Sequence, residues 1–411
     1  NHRYDTADYL NVDPYVGCNA DLKSLCEAAH KKGMKVILDA VFNHTGNDSV
    51  YFNEFGTFEN LGAFQSVNSK YSNFYRKHLE NGKMDFEYWW GMRNLPVCDG
   101  NSIEWKKFIT GEGGVIDKWF SLGIDGLRLD VADELSDEFI ELIRKAVKRN
   151  KEDGFILGEV WKNPMRMGRG YIESGKGMDS VMNYLLVDAL IRYFKYNDIE
   201  KLAKTIKEIK NEYPIDTRNA LMNFTSTHDI SRLLNILSSN CFFKDSEWVW
   251  NLINNDLDWQ KDFVLSKDEY QKGRDIYEAY CFALNLMPGI FSIFYGDEIG
   301  LQGMGNLANR KPFNWNYMDK KLLRFFRNIG KIRRIESFLE EADFNILDIN
   351  SDYLMFERAT NEEKLLVGVN KTDKDVDILI PHEYKNYSKV YTLKKSDIDY
   401  LGPFGAIAIK K

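Results

Sequence analysis

Six short apolar stretches alternate with longer amphipathic ones through the first 335 residues, and this alternation limits the fold more than any other feature. Met34–Val41 is apolar, β-branched and preceded by Gly33, the pattern of a strand buried in a parallel sheet. Ile124–Val131, Phe155–Val160, Ser180–Tyr184, Ala220–Thr225 and Ile290–Tyr295 have the same strand length. Helical patterns are predicted at Ala20–Lys32, with Asn19 as N-cap, and at Glu104–Leu122, Ser136–Arg149, Asp188–Asn211, Lys267–Met287 and Lys320–Ile335. Strands and helices in strict alternation, with glycine at several turns, predict an α/β chain in which helices wrap a parallel sheet.

An open doubly wound sheet would need a glycine-rich phosphate loop at its switch point, and none is found. The expected architecture is therefore a (β/α)8 TIM barrel. It needs eight strands to close, and with six visible the first two are expected to lie before residue 1. Two segments interrupt the pattern. Residues 44–101 are rich in Asn, Gly, Phe, Tyr and Trp, and so long an excursion after the third barrel strand reads as a functional insertion. From residue 343 the pattern changes to short alternating strands, such as Tyr353–Arg358 and Lys364–Asn370, expected as an antiparallel β-sandwich. The expected domains are thus a catalytic barrel at 1–342, with its insertion at 44–101, and a β domain at 343–411.

Reactive groups in parallel barrels sit at the C-terminal ends of strands. Those ends carry Asp39, Asn43 and His44; Arg128 and Asp130; Glu159; His228 and Asp229. Acidic residues at several successive strand ends are hard to explain by packing, because a buried unpaired carboxylate costs several kcal/mol. Asp130 follows Arg128 by two residues, which places both side chains on one face of the strand. The guanidinium is expected to hold Asp130 ionised, as a nucleophile requires. Glu159 ends the next strand in Gly158-Glu159-Val160-Trp161, where a longer side chain beside an apolar ring is expected to stay protonated and serve as general acid. One carboxylate and one protonated carboxyl flanking a bond is what glycoside cleavage demands.

Four blocks, Asp39-Ala-Val-Phe-Asn43-His44, Gly126-Leu-Arg128-Leu-Asp130, Gly158-Glu159-Val-Trp161 and Ser226-Thr-His228-Asp229, resemble the signature blocks of the α-amylase family in order and spacing. The resemblance runs from His2 to about Ile335, and the β tail looks like the family's C-terminal domain. It implies a retaining mechanism in which Asp130 attacks the anomeric carbon, Glu159 protonates the leaving oxygen and then activates water, and Asp229 hydrogen-bonds sugar hydroxyls. His44, His228 and Arg128 match positions around the sugar. His2 and Tyr4 match a loop that contacts the same ring, and Arg310 a substrate-side arginine. Read singly, His44 or His228 is more often a structural histidine, Asp39 a support for Arg128, and Trp161 a packing residue. Tyr71, Tyr75, Trp89 and Trp90 read equally as the insertion's own core or as a sugar platform.

Val131-Ala132-Asp133-Glu134 resembles the Val-Ala-Asn-Glu of cyclomaltodextrinases, neopullulanases and maltogenic amylases, with Asp133 in place of Asn. Met92-Arg93-Asn94-Leu95-Pro96, Phe294–Gly300 and Asn309-Arg310-Lys-Pro-Phe313 are similar to the same group, although Asn306 stands where Asp is usual. The resemblance implies hydrolysis of α-1,4 and α-1,6 bonds in maltodextrins, cyclodextrins or pullulan. A glucan transferase or trehalose-synthase-like isomerase with the same catalytic trio is the alternative, and a non-catalytic relative is the remote one. No cofactor is expected for the chemistry. A structural calcium is left without support, because Glu134 stands where secreted amylases pair a His with the residue matching Asn43.

The net charge of −7 argues against a nucleic-acid partner, and no apolar run is long enough for a membrane span. Five scattered cysteines and no signal-peptide pattern suit reduced thiols in a bacterial cytoplasm. The expected partner is an α-glucan oligosaccharide, with a homodimer as the full-length form.

Overall fold

The apolar stretch after Gly33 forms strand β1 (Ile37–Ala40) of the computed structural model, which describes residues 3–80, 83–172 and 175–411. His2 lies outside the described residues. The chain parts into two compact units, residues 1–181 and 182–411.

In the first unit the insertion contributes a hairpin, β2 (Lys77–Glu80) with β3 (Lys83–Phe86), and three further parallel strands follow. These are β4 (Gly126–Leu129), β5 (Phe155–Gly158) and β6 (Ser180–Val181), in the sheet order β1-β4-β5-β6. Asp39 lies beside Arg128 in this register, and Arg128 beside Leu157. β4 is buried at all four residues, as a central parallel strand should be, whereas β1 exposes Ile37 and Asp39. Gly126 is required here, since a Cβ would stand 2.3 Å from the Phe155 carbonyl oxygen on β5.

The helices depart from expectation in instructive ways. Helix 19–30 is capped at Cys18, whose N–H is taken by the Asp21 carboxylate at 2.8 Å. Asn19 instead braces the preceding loop, accepting from Val12 N–H and donating to the Leu10 carbonyl. The single helix expected over 104–122 breaks at Gly111–Gly114 into 103–110 and 115–121. Helix 137–150 begins where Ser136 accepts the Phe139 N–H, and it buries Phe139, Ile140, Ile143, Ala146 and Val147. The insertion has its own aromatic core: the Phe52 ring meets Tyr75 at 5.0 Å and Phe86 at 4.8 Å, and Tyr71 meets Tyr51 at 5.3 Å. Tyr71 and Tyr75 therefore pack inside it.

In the second unit, β7 (Met222–Phe224) and β8 (Ile290–Ser292) form a parallel pair, and Met182 bridges in parallel to Met222. All six expected strands exist. The helix expected over 188–211 is two, 184–196 and 199–212, separated by Asn197 in the left-handed conformation that asparagine tolerates. Helix 267–286 starts with a capping box between Ser266 and Glu269.

The tail forms β9 (Asp343–Ile349), β10 (Tyr353–Ala359), β11 (Lys364–Asn370), β12 (Val376–Asp377), β13 (Lys389–Leu393), β14 (Tyr400–Leu401) and β15 (Ala406–Lys410). Five of these make an antiparallel sheet in the order β13-β15-β11-β10-β9, and the β12–β14 ribbon joins its core through Leu401. Buried Arg358 fastens β10 to the rest of the unit by donating to the carbonyls of Leu286, Leu339 and Ala342.

Candidate active site

In the first unit the strand register brings the expected charged residues around one buried guanidinium. Arg128 Nη1 lies 2.8 Å from both Asp39 Oδ1 and Asp130 Oδ1. Its Nη2 lies 2.8 Å from Glu159 Oε2, a close ion pair whose N–H direction is not aligned for a hydrogen bond. Asp130 and Glu159 thus share one cation at the ends of neighbouring strands. Tyr4 closes the network, donating its hydroxyl to Asp39 Oδ2 at 2.6 Å with its ring 5.9 Å from the guanidinium carbon. Burial, reinforced by the Asp39 charge, raises the Tyr4 phenol far above its usual range, so it is a fixed donor.

The charge state of Asp130 corrects the expectation that Arg128 keeps it ionised. Burial pushes its carboxyl up to about 8, against the lowering effect of Arg128, and the nearby Glu159 and Asp39 charges push the same way. One guanidinium cannot offset desolvation together with two neighbouring carboxylates. Asp130, interacting with its charged neighbours, therefore holds a proton near neutrality.

Glu159 is oriented from two sides. Val131 N–H donates to Oε2 at 3.0 Å, and Trp161 Nε1–H donates to Oε1 at 3.1 Å. Trp161 thus offers the polar edge of its ring to the carboxyl rather than the expected apolar contact. Val131 sits at φ 39° and ψ 49°, a left-handed conformation that a β-branched residue rarely adopts. Strain of this kind costs about 1–3 kcal/mol and persists where surrounding structure imposes it. Here it turns the amide that follows Asp130 onto Glu159.

His44 is buried at the end of β1 with its ring stacked on Trp89 at 5.0 Å, and Trp89 stacks in turn on Trp90 at 4.8 Å. Trp89 Nε1–H donates to Glu134 Oε2 at 2.8 Å, and the Asn43 amide approaches the same oxygen at 3.4 Å. The donors around Glu134 are thus N–H groups, and the cavity beside it is lined by both Arg76 and Arg169. Arg169 pairs with Asp137 and donates to the Asp133 carbonyl. A donor set with two guanidinium groups does not suit calcium, which takes six to eight oxygens. Among the described residues no group of three or more His, Cys, Asp or Glu could hold a metal. EDTA is accordingly expected to leave the melting temperature unchanged, and a fall of more than a few degrees in a thermal scan would refute this.

In the second unit, His228 Nε2 lies 3.1 Å from Asp229 Oδ2, and Arg310 reaches the His228 carbonyl at 3.0 Å and Asp229 Oδ1 at 3.4 Å. Arg310, His228 and Asp229 therefore form one cluster. Sequence reasoning missed what holds it. Buried Asp297 accepts from Thr225 and Ser226 hydroxyls at 2.7 and 2.6 Å and pairs with buried Arg232 at 2.7 Å. Asn309 donates to the Thr227 carbonyl at 2.9 Å and so fixes the loop that carries His228. All five cysteines are free thiols, and no described helix is long and apolar enough to cross a membrane.

Comparison with known proteins follows this geometry. The α-amylase catalytic-domain family model matches residues 1–98 and 104–333. The amylopullulanase of Thermoanaerobacterium thermosulfurigenes is 30% identical over 420 residues, covering 92% of this chain and 21% of the relative. The cyclomaltodextrinase of Geobacillus thermopakistaniensis is 28% identical over 394 residues, covering 93% and 58%. The chain therefore spans between about a fifth and three-fifths of the length of these curated relatives. Among solved structures, the debranching enzyme from Nostoc punctiforme matches with a TM-score of 0.78 at 24% identity, covering all of this chain and 83% of the other. This likeness shows a fold of the TIM-barrel type with a C-terminal antiparallel sheet.

Proposed function

The chain belongs to the α-amylase family, and we propose that it is a retaining glycoside hydrolase acting on α-1,4, and also α-1,6, glucosidic bonds of maltodextrins, cyclodextrins or pullulan. The observation that carries this is the Asp130–Arg128–Glu159 arrangement, two carboxyl groups at adjacent strand ends bridged by one guanidinium. The names of the relatives, an amylopullulanase and a cyclomaltodextrinase, support hydrolysis over transfer or isomerisation.

In the proposed reaction an Asp130 carboxylate oxygen bonds to the anomeric carbon while the glycosidic oxygen leaves with a proton from Glu159. Glu159 then takes a proton from water, whose oxygen displaces Asp130, and the anomeric configuration is retained. That chemistry requires the proton held at Asp130 to reside on Glu159 when substrate is engaged. Arg128 offsets the charge that builds on whichever carboxyl is ionised. Asp229, paired with His228 and Arg310, would hydrogen-bond sugar hydroxyls, Arg310 would also face the substrate, and His228, Arg128, His44, Tyr4 and His2 would contact the sugar at the cleaved end. The functional division proposed is 1–342 for catalysis, including the 44–101 insertion, and 343–411 as an accessory sheet. A bacterial cytoplasmic location, consistent with five free thiols, and a homodimeric full-length form complete the reading.

Incubation with maltotriose, β-cyclodextrin and pullulan, followed by chromatography and early-time NMR, tests it. The expected products are glucose and maltose from maltotriose, with the α-anomer formed first. Longer or rearranged sugars as the main product would assign the chain to the transferases or isomerases instead, and an initial β-anomer would exclude retention.

A further inference from the structure

Trp90 is the residue the site leaves unexplained. It is 80% exposed, yet its backbone sits at φ 49° and ψ 30°, a left-handed conformation unfavourable for a bulky side chain. Exposure of a large apolar ring and a strained backbone both oppose this placement, and burial gives nothing in return. The ring is nonetheless held. It lies within 21° of parallel on Trp89, which is itself within 21° of parallel on buried His44. Glu134 fixes the stack from the side, accepting from the Trp89 indole at 2.8 Å. His44 follows β1, and Glu134 closes the turn that begins at Val131, directly after Asp130. The three rings therefore form a column running from buried His44, which follows β1, to solvent, with Trp90 as its outer end.

We infer that Trp90 is a stacking platform for a glucose ring of the α-glucan substrate, away from the bond being cleaved, and that it sets the preference for longer chains. The inference rests on the function proposed above. A flat indole fixed in advance suits the apolar face of a pyranose, because little side-chain freedom remains to be lost on binding. An oligosaccharide is favoured over a docking protein because the column is braced by Glu134, which closes the turn that follows Asp130. Trp90, with exposed Met92 two residues on, also makes a small apolar patch compared with a protein interface, which buries about 800 Å² on each partner.

The test uses the full chain carrying Glu159→Gln, which should bind but not cleave, titrated calorimetrically with maltoheptaose. Adding Trp90→Ala is expected to weaken binding about three- to tenfold, while Trp90→Phe retains most of it. Trp90→Gly, which removes the backbone strain, is expected to weaken binding equally without lowering the melting temperature. That combination would not arise if Trp90 merely held the loop together. Maltoheptaose affinity unchanged in Trp90→Ala overturns the platform, as does a loss that follows the melting temperature across the three variants. If the parent binds no maltoheptaose and the unmodified chain cleaves no maltodextrin, the proposed function has failed and the platform with it. Cleavage by the unmodified chain separates that case from failure of the platform alone.

Discussion

Asp130→Asn is expected to lower turnover on maltotriose by at least about three orders of magnitude and, at the same time, to stabilise the fold at pH 8. The first effect follows from removing the proposed nucleophile. The second follows from the buried carboxyl, whose folded-state value near 8 lies well above its ordinary 3.8. The folded chain therefore binds this proton more tightly than the unfolded chain does. Its stability falls as pH rises through the interval between those two values, and above about pH 8 it carries the whole cost of an ionised Asp130. Asparagine keeps the shape and can still accept from Arg128 but never ionises. The expected gain is on the order of a few kcal/mol at pH 8, shrinking towards zero only below about pH 3, where the carboxyl is protonated in both states. Calorimetric melting at pH 5 and pH 8, beside steady-state kinetics, reads both effects. A stability difference independent of pH would contradict the burial argument, and near-normal turnover would remove Asp130 from the chemistry.

Such a trade of stability for function also explains what could be read from the residues alone. The six strands were legible as short apolar runs between longer amphipathic stretches, and β4, buried at every residue, must be apolar along its length. The charged residues at their ends were legible for the converse reason: Asp39, Arg128, Asp130 and Glu159 interrupt apolar runs where packing gives no reason for them. Charge balance was not legible. Whether Arg128 or burial governs Asp130 depends on three carboxylates meeting one guanidinium, which is a property of sheet register and not of spacing along one strand. Helix ends were read less well than helix interiors, since Asn19 and Cys18 are both able to precede a helix and tertiary contacts of the Asn19 side chain decided between them. The Asp297–Arg232 pair escaped notice because its members are 65 residues apart and meet only in the fold. Trp89 and Trp90 belonged to neither of two tidy classes, since the column they form is anchored in the core at one end and open to solvent at the other.

Replacing Arg128 tests the same network from its positive side. Arg128→Gln leaves Asp39, Asp130 and Glu159 facing one another with no cation between them. Removing one partner of a buried ion pair costs about 3–5 kcal/mol, and the expected loss falls in that range at pH 8. It should be smaller at pH 5, because without the guanidinium the Asp130 carboxyl rises further and is protonated there. Turnover is expected to fall by about three orders of magnitude, since neither carboxyl can then be ionised beside the other without opposition. Arg128→Lys should recover only part of this, because one ammonium cannot span the separate oxygens that Nη1 and Nη2 reach. The decisive variant combines Arg128→Gln with Asp130→Asn. If repulsion between carboxylates is the cause, Asp130→Asn should return at least about 1 kcal/mol more at pH 8 in the Arg128→Gln background than it gains alone, with little difference at pH 5. If the guanidinium acts mainly through packing of its aliphatic stem, the two changes will add at both pH values. A double-mutant cycle at two pH values thus separates electrostatic from steric support for the catalytic pair, without requiring either variant to be active.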